Sequence, residues 1–343
     1  MMDGPATSGA GTAVAIAMAT FDPDPELFRR QVDSIRQQTL PDWTCVVSDD
    51  CSSASGVSVI REAIAGDPRF SFFPSERRRG AYRNFERALE LVPRTASYVA
   101  LADQDDRWHP DKLEVLVDRL GGANLGYSDS RVVDRGGEVL APSYWTRRRN
   151  NHTNLASLLI ANTVSGGASL FRRDLLDVAL PFPETPGEQY HDHWIALVAL
   201  ATGRIAYVDR PLYDYVQHGR AALGHAAANV RPWGRRGAGT EVDPGERAGA
   251  IRGGRGAYSA YARLRVLAEA LIERAGPRLE PSARRTLRRF LRAERSPGAF
   301  LWLLVRPARR LVRRNETMGA EAILVRGLLW RYRARVRMLL RGR

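Results

Sequence analysis

A mostly parallel α/β sheet of Rossmann-like type with helices on both faces, continued by a basic α-helical C-terminal region, is the architecture that this 343-residue sequence predicts. Three observations lead there. Short apolar runs alternate with stretches of helical period through the first two thirds of the chain, and two of those runs stop abruptly at aspartate clusters. The charge then changes sign: residues 229–343 hold 28 arginines against 9 acids, whereas 1–228 hold 24 cations against 29 acids.

The first strand is expected over 14–20, followed by the turn-forming Asp22-Pro23-Asp24-Pro25 and a helix carrying Leu27, Phe28, Val32 and Ile35 on one side. A second strand over 43–48 stops at Asp49-Asp50 and the small polar residues 51–55. A short helix over 61–65, a strand over 70–73, a helix over 84–92 and a fourth strand over 98–102 follow, the last ending in Asp103-Gln104-Asp105-Asp106. Residues 126–140 read as an insertion with Asp134-Arg135-Gly136-Gly137 as a hairpin turn. Beyond it come a helix over 154–162, a strand over 168–171 behind Gly166 and Gly167, and a helix beginning at 174–178. An apolar helix over 191–202 and short strands over 205–208 and 212–216 lead to Gln217-His218-Gly219. The expected divisions are a flexible N-terminus (1–12), the α/β domain (13–223), a Gly-rich linker or loop (224–256) and an arginine-rich helical region (257–343). Helices are expected there over 258–274, 281–294, 299–312 and 320–340.

Hydrophobic residues make up 44% of the chain and charged ones 26%, too apolar a mixture for a solvated tail. The net charge is +14, carried by arginine, since Lys112 is the only lysine. Cys45 and Cys51 are too few for a disulfide framework and lack metal-site spacing, so a reducing interior is expected. The first 12 residues lack the pattern of a secretory signal, and no apolar stretch reaches the roughly 18 residues that a span needs.

In a parallel sheet the carboxyl ends of the strands share one edge, where ligands sit. Both aspartate clusters fall on it, although either alone could be a turn or a helix cap. Carboxylates this close repel unless neutralised, and a divalent cation between them and a phosphate-bearing substrate solves that problem. Asp103 and Asp105 alternate along extended backbone and can share a face; Asp106 points elsewhere, toward a metal or as an N-cap.

Several ordered motifs resemble family 2 glycosyltransferases: Thr20-Phe21-Asp22, Val47-Ser48-Asp49-Asp50-Cys51-Ser52, Asn84-Phe85, and Ala102-Asp103-Gln104-Asp105-Asp106-Arg107-Trp108 through Pro110, Lys112 and Leu113. Tyr127-Ser128-Asp129, Gly166 to Phe171, His191-Asp192-His193-Trp194 and the stretch from Tyr215 to Gly219 resemble the bacterial rhamnosyltransferase-like branch. The resemblance covers about residues 13–220 and implies a GT-A fold, a nucleotide-diphosphate sugar donor, Mg²⁺ or Mn²⁺, and inversion at the anomeric carbon. It implies that Asp49 and Asp50 contact the nucleoside, with Thr20 and Phe21 lining the base pocket. Asp103 would face the ribose, Asp105 would ligate the metal and Asp192 would be the catalytic base, although His191-Asp192 departs from the more frequent Glu-Asp pair.

An inverting reaction needs its base on the face opposite the leaving diphosphate, which favours Asp192 at a helix start, where a simple cap is the plainer role. His191, His193 and His218 could suggest zinc, but a two-residue spacing on a helix splays the rings. The resemblance makes His218 a candidate for diphosphate or metal contact; a hydrogen-bonded histidine ending a strand is the alternative. Gly166 and Gly167 let backbone approach acceptor or donor, or form a β-bulge. Trp194, with Trp108 and Tyr215, stacks on a sugar or packs in the core.

Apolar and cationic residues lie together at Leu301 to Leu304 beside Arg306, Arg309 and Arg310, and at Leu328 to Trp330 beside Arg331, a pattern of solvated faces or of interfacial helices. The expectation is a cytoplasmic enzyme held peripherally at the inner membrane face by anionic lipid, acting on a lipid-linked or envelope glycan, with no nucleic-acid partner. The rival readings are a non-catalytic membrane- or nucleic-acid-binding protein on a decayed scaffold, and a nucleotidyltransferase. The second would need a glycine-rich basic loop that 17–25 lacks.

Overall fold

A computed structural model describes residues 14–145, 148–187, 189–218, 253–312 and 316–341. The expected N-terminal segment 1–12 and most of the expected linker lie outside the described residues. Among the described residues nine strands form one sheet: β1 (Val14–Thr20), β2 (Trp43–Asp49), β3 (Phe70–Phe73), β4 (Tyr98–Ala102), β5 (Arg107–Trp108), β6 (Leu125–Val133), β7 (Val139–Ala141), β8 (Ser169–Arg172) and β9 (Ile205–Val216). Their order is β3-β2-β1-β4-β8-β6-β9-β5, with β7 paired to β6. β1 runs parallel to β2 and β4, β2 to β3, and β6 to β9, while β8 is antiparallel to both its neighbours. This is the expected mostly parallel α/β sheet.

Val14 to Met18 are fully buried, as a central parallel strand covered on both faces requires. The register sets the site. Thr20 pairs with Asp49, and Met18 with Ala102, so the chain leaves β1, β2 and β4 at one level of the sheet edge.

The helices α1 (Pro25–Arg36), α2 (Ala54–Ile64), α3 (Ala81–Glu90) and α4 (Lys112–Leu120) connect the early strands. α2 is longer than the expected 61–65 because Ser53 caps it, accepting from the Gly56 N–H. Residues 126–140 are not an insertion. Their first half is β6, a central strand, and the expected turn at 134–137 joins it to β7. The two expected strands over 205–216 are one, kinked where its register against β6 shifts beside Asp129. The expected helix at 174–178 is a 3₁₀ turn (Arg173–Leu175) running into α6 (Leu176–Ala179).

α5 (Leu155–Ile160) and α7 (His191–Ala201) lie beneath a further layer made of α8 (Gly254–Ala275), α9 (Pro281–Arg292), α10 (Pro297–Val305) and α11 (Glu321–Arg341). α8 starts inside the expected linker, so the helical region begins at 254 and not 257. This layer explains why α7 is apolar all round: Trp194 to Ala199 face the sheet on one side and helices on the other. Tyr261, Leu264, Leu271, Leu287, Phe290 and Leu303 belong to the same buried cluster as Val14 and Leu101. The charge asymmetry therefore does not mark two separate bodies. Gly327 allows α11 to touch α8, since a Cβ there would lie 2.5 Å from the Ala257 backbone. Glu294, buried between helices, draws in Arg265, Arg331 and Arg335 at 3.2–3.8 Å and accepts from the Tyr258 hydroxyl, so part of the arginine content is spent internally.

Candidate active site

The loops after β1 and β2 are sewn together. The Asp50 N–H donates to the Thr20 carbonyl at 2.9 Å and the Asp22 N–H to Ser52 Oγ at 2.7 Å. Asp22 and Cys51 take φ of +38° and +65°, a left-handed conformation that aspartate tolerates better than most residues. The Thr20 hydroxyl donates to Asp49 Oδ1 at 3.2 Å, and Asp49 Oδ2 accepts from the Ser52 N–H at 2.9 Å. Asp50 accepts from the N–H groups of Arg79 and Gly80 at 2.6 and 2.8 Å, which fixes the entry to α3. Thr20, Asp49 and Asp50 are each 1–2% exposed. These hydrogen bonds seat both carboxylates in the turns at the sheet edge, where β1 and β2 end. The accessible group at this end is the Phe21 ring, with the Arg78 guanidinium 3.8 Å above it. Asn84 closes the seam, donating to the carbonyls of Thr20 and Ser48 and accepting from the Ser48 hydroxyl.

Gln104, the residue between the two expected donor-site aspartates, joins the two loops: its Oε1 accepts from the Phe21 N–H at 2.8 Å and its Nε2 donates to the Phe21 carbonyl at 3.2 Å. Around it the acids gather. Burial, then the charges of Asp105 and Asp192, push the Asp103 carboxyl up to about 7, with Lys112 pulling the other way. Asp106 is 2% exposed and held well above the usual carboxylate range by burial and then by Asp103 and Asp105. Its Oδ2 has no hydrogen-bond partner among the described residues. Asp105 faces outward and meets His218, Nε2 to Oδ2 at 2.8 Å. Lys112 is the internal counter-charge. Fully buried, it donates to the Gly167 carbonyl, lies 3.5 Å over the Trp108 ring, and is drawn well below its usual value by burial against the opposing pull of Asp106 and Asp103.

Gly166 and Gly167 form the partition between this cluster and Asp192. A Cβ on Gly167 would lie 2.9 Å from Asp106 Oδ2 and 3.3 Å from Asp103 Oδ2, and one on Gly166 would lie 2.8 Å from His191 Nε2. Across it, Asp192 stands in the first turn of α7, its Oδ1 accepting from the His193 N–H at 2.6 Å. Burial lifts its carboxyl to about 6 against hydrogen bonds from the backbone and Asn162. His191 stacks on Phe85 with ring centroids 3.7 Å apart and is pushed down to about 3 by burial, so it is neutral. The His193 Nε2–H donates to the Leu158 carbonyl of α5 at 2.8 Å. Trp194, expected at the acceptor, is fully buried and its indole N–H donates to the Ala179 carbonyl at 2.8 Å.

Sequence reading passed over Tyr144. Its hydroxyl is raised by burial and then by the charges of Asp192 and Asp106, and its ring packs edge-on against Tyr215 and Trp145. The aromatic pair Tyr144-Trp145 after a strand was the available signal. Arg148 ties this segment to the C-terminal layer through the Glu316 carbonyl.

Carboxylate oxygens with one imidazole suit Mn²⁺ or Mg²⁺, and the orphaned Asp106 oxygen and the raised Asp103 mark a place short of positive charge. Among the described residues no group of three or more His, Cys, Asp or Glu is arranged to hold an ion alone. Asp105 and His218 would therefore share it with substrate phosphate and water, the usual habit of Mg²⁺ sites.

Residues 15–179 match the family described as Glycosyl transferase family 2. An uncharacterized protein, y4gI, of Sinorhizobium fredii is 30% identical over 230 residues, 64% of this chain and 24% of that protein. The putative teichuronic acid biosynthesis glycosyltransferase TuaG of Bacillus subtilis is 34% identical over 97 residues, 28% of this chain and 38% of its own. The dTDP-rhamnosyl transferase RfbG of Shigella flexneri is 29% identical over 119 residues, 34% and 41% respectively. The matches thus span less than half the length of these relatives. In fold, the chain is similar to S. aureus TarS 1–349 solved with UDP-GlcNAc, with a TM-score of 0.54 and 15% identity over 91% of this chain and 90% of that one. Matching motifs and matching sheet together make residues 15–179 a glycosyltransferase family 2 domain with a GT-A-like fold.

Proposed function

We propose that this chain transfers a sugar from a nucleotide-diphosphate donor to a hydroxyl of a lipid-linked or envelope glycan, with inversion and with Mg²⁺ or Mn²⁺. The observation that carries the reading is the convergence of Asp103 and Asp105, His218, and Asp192 from three distant segments on the two sides of the Gly166-Gly167 partition. The names of TuaG and RfbG support an envelope-polysaccharide acceptor and the rhamnosyltransferase-like branch, and the UDP-GlcNAc complex of TarS supports a nucleotide-sugar donor.

The chain's own groups divide the work. The Phe21 ring under Arg78 stacks the base, and Gln104 keeps that loop in register with the acids. A divalent cation held at Asp105 and His218 would neutralise the charge that develops on the departing diphosphate. Asp192 takes the proton of the acceptor hydroxyl as its oxygen bonds to the anomeric carbon, and the bond from that carbon to the diphosphate oxygen breaks with its electron pair leaving on the nucleotide. Tyr144 and Tyr215 form the wall on which the sugar rests. The basic helices hold the protein at an anionic membrane surface; among the described residues no helix is long and apolar enough to cross one.

A panel of UDP-, GDP- and dTDP-sugars incubated with Mn²⁺ tests the reading by slow donor hydrolysis. One donor should be consumed, and Asp105→Ala should abolish its consumption. Hydrolysis equal in that variant, or none with any donor and acceptor extract, would overturn it.

A further inference from the structure

A polar cleft lies where the start of α5 meets α9 and α10. It has a volume of about 380 Å³ and is lined by Asn154 and Ala156, by Arg285, Thr286 and Arg289 of α9, and by Trp302 and Arg306. That size falls in the range of about 300–1,000 Å³ typical of small-molecule sites. Its chemistry is uniform. Three guanidiniums line it and no carboxylate does. The Trp302 ring is flanked by the Arg289 and Arg306 guanidiniums at 5.0 and 5.1 Å, an arrangement that stiffens both cations. Arg306 is 6% exposed; its Nη2 donates to Ser157 Oγ at 2.9 Å and its Nε stands 3.5 Å from Glu321 Oε1, so one of the three charges is balanced from behind. Arg285 and Arg289 are exposed, and neither has an acidic partner among the described residues.

The rim supplies the other half of the argument. On α10, Leu301, Leu304 and Val305 are 55%, 46% and 53% exposed. At 100° per residue these three share a stripe that adjoins the side carrying Trp302 and Arg306. A cationic cleft bordered by an unburied aliphatic stripe suits a molecule with a phosphate head and a hydrocarbon tail. Guanidiniums match phosphate oxygens in paired hydrogen bonds, which a diffuse surface charge does not.

We infer that the cleft formed by Arg285, Arg289, Arg306 and Trp302 binds the phosphate or diphosphate head of a membrane amphiphile. The inference refines the membrane attachment stated above and is independent of the catalytic assignments.

The test uses the full chain in EDTA, with two probes: inorganic pyrophosphate by calorimetry, and sedimentation with phosphatidylglycerol-containing vesicles or with pure phosphatidylcholine. Arg285→Ala with Arg289→Ala empties the cleft of its unbalanced charges; Arg288→Ala with Arg292→Ala removes two exposed arginines of the same helix that do not line it. Pyrophosphate should bind the native chain and the control pair and be lost in the cleft pair. Anionic-vesicle binding should fall about tenfold further in the cleft pair than in the control, and pyrophosphate should compete with it. Donor hydrolysis should persist in both pairs, so a failure here is distinct from a failure of the enzymatic reading. Equal losses in the two pairs, or equal binding to neutral vesicles, would overturn the site. Pyrophosphate binding without vesicle binding would overturn the lipid assignment and leave a soluble phosphorylated ligand.

Discussion

Lowering the pH is a direct probe of Asp192. Burial lifts its carboxyl to about 6, while an ordinary aspartate titrates near 3.8. Only the ionised form accepts a proton, so activity is lost as pH falls through about 6. The ionised fraction goes from about 90% at pH 7 to about 10% at pH 5, a roughly ninefold fall, whereas a carboxyl at its ordinary value would stay more than about 90% ionised throughout. The assay is nucleotide-diphosphate release at saturating donor, acceptor and Mn²⁺ from pH 4.5 to 8. Asp192→Asn should cost about 10²- to 10⁴-fold in rate, the usual share of a general base. Asp103 titrates in a neighbouring window; with the donor-side role proposed for it, the pH dependence of nucleotide affinity should survive in Asp192→Asn while the rate limb vanishes. Stability has the opposite sign. A folded-state value raised above the unfolded one favours the protonated chain, whose advantage is complete below about pH 4 and disappears as pH rises through about 6. Asp192→Asn should therefore raise the melting temperature at pH 7 and leave it unchanged at pH 4. A flat rate profile down to pH 5, or an Asn variant of native activity, would refute the assignment of the base.

Gly167→Ala sets a methyl group 2.9 Å from Asp106 Oδ2, and it should destabilise the chain by roughly 1–3 kcal/mol in urea titrations and weaken Mn²⁺ binding measured by paramagnetic resonance. Lys112→Met strips Asp103 and Asp106 of their buried counter-charge, and a loss of about 3–5 kcal/mol in the same titrations is expected; a loss below about 1 kcal/mol would mean that the lysine sits there neutral. Trp194→Phe should cost about 1–2 kcal/mol through the lost indole bond to Ala179 while the acceptor KM stays unchanged, and a raised KM would return the residue to the acceptor side. Gln104→Ala should raise the donor KM more than it lowers kcat, since what it loses is the tie to Phe21 and not a group at the reacting carbon.

The early strands were legible because each is an apolar run that ends where polar side chains begin, and the register of β1 on β2 and β4 carries those endings to one edge. β6 was not legible. Tyr127 to Ser130 alternate poorly, and their polar groups are buried against partners that lie elsewhere, as when Asp129 Oδ1 accepts from the Tyr144 N–H at 3.2 Å. The same limit hid the work of Gln104 and Lys112, whose partners Phe21 and Gly167 lie 83 and 55 residues away along the chain and come close only when the sheet closes. Asp49 and Asp50 show the converse. Their acidity suggested ligand contact and their hydrogen bonds are also those of turn makers, two roles that spacing alone cannot separate. In the C-terminal region arginine masked the seam, for Leu287 and Phe290 recur at helical spacing between cations and reach the common core.

The helix that bears Asp192 has protein on both sides, and this bears on how such an enzyme can be trimmed. Cutting the chain back to residues 14–218 would strip the cover from α7, wetting Leu197 and its neighbours, each worth about 1.5–3 kcal/mol when fully buried. The smallest fragment able to hold Asp192 in place must retain the arginine-bearing helices. Exchange of this tail between related transferases would have to carry a matching inner face, whatever happens to its outer charge.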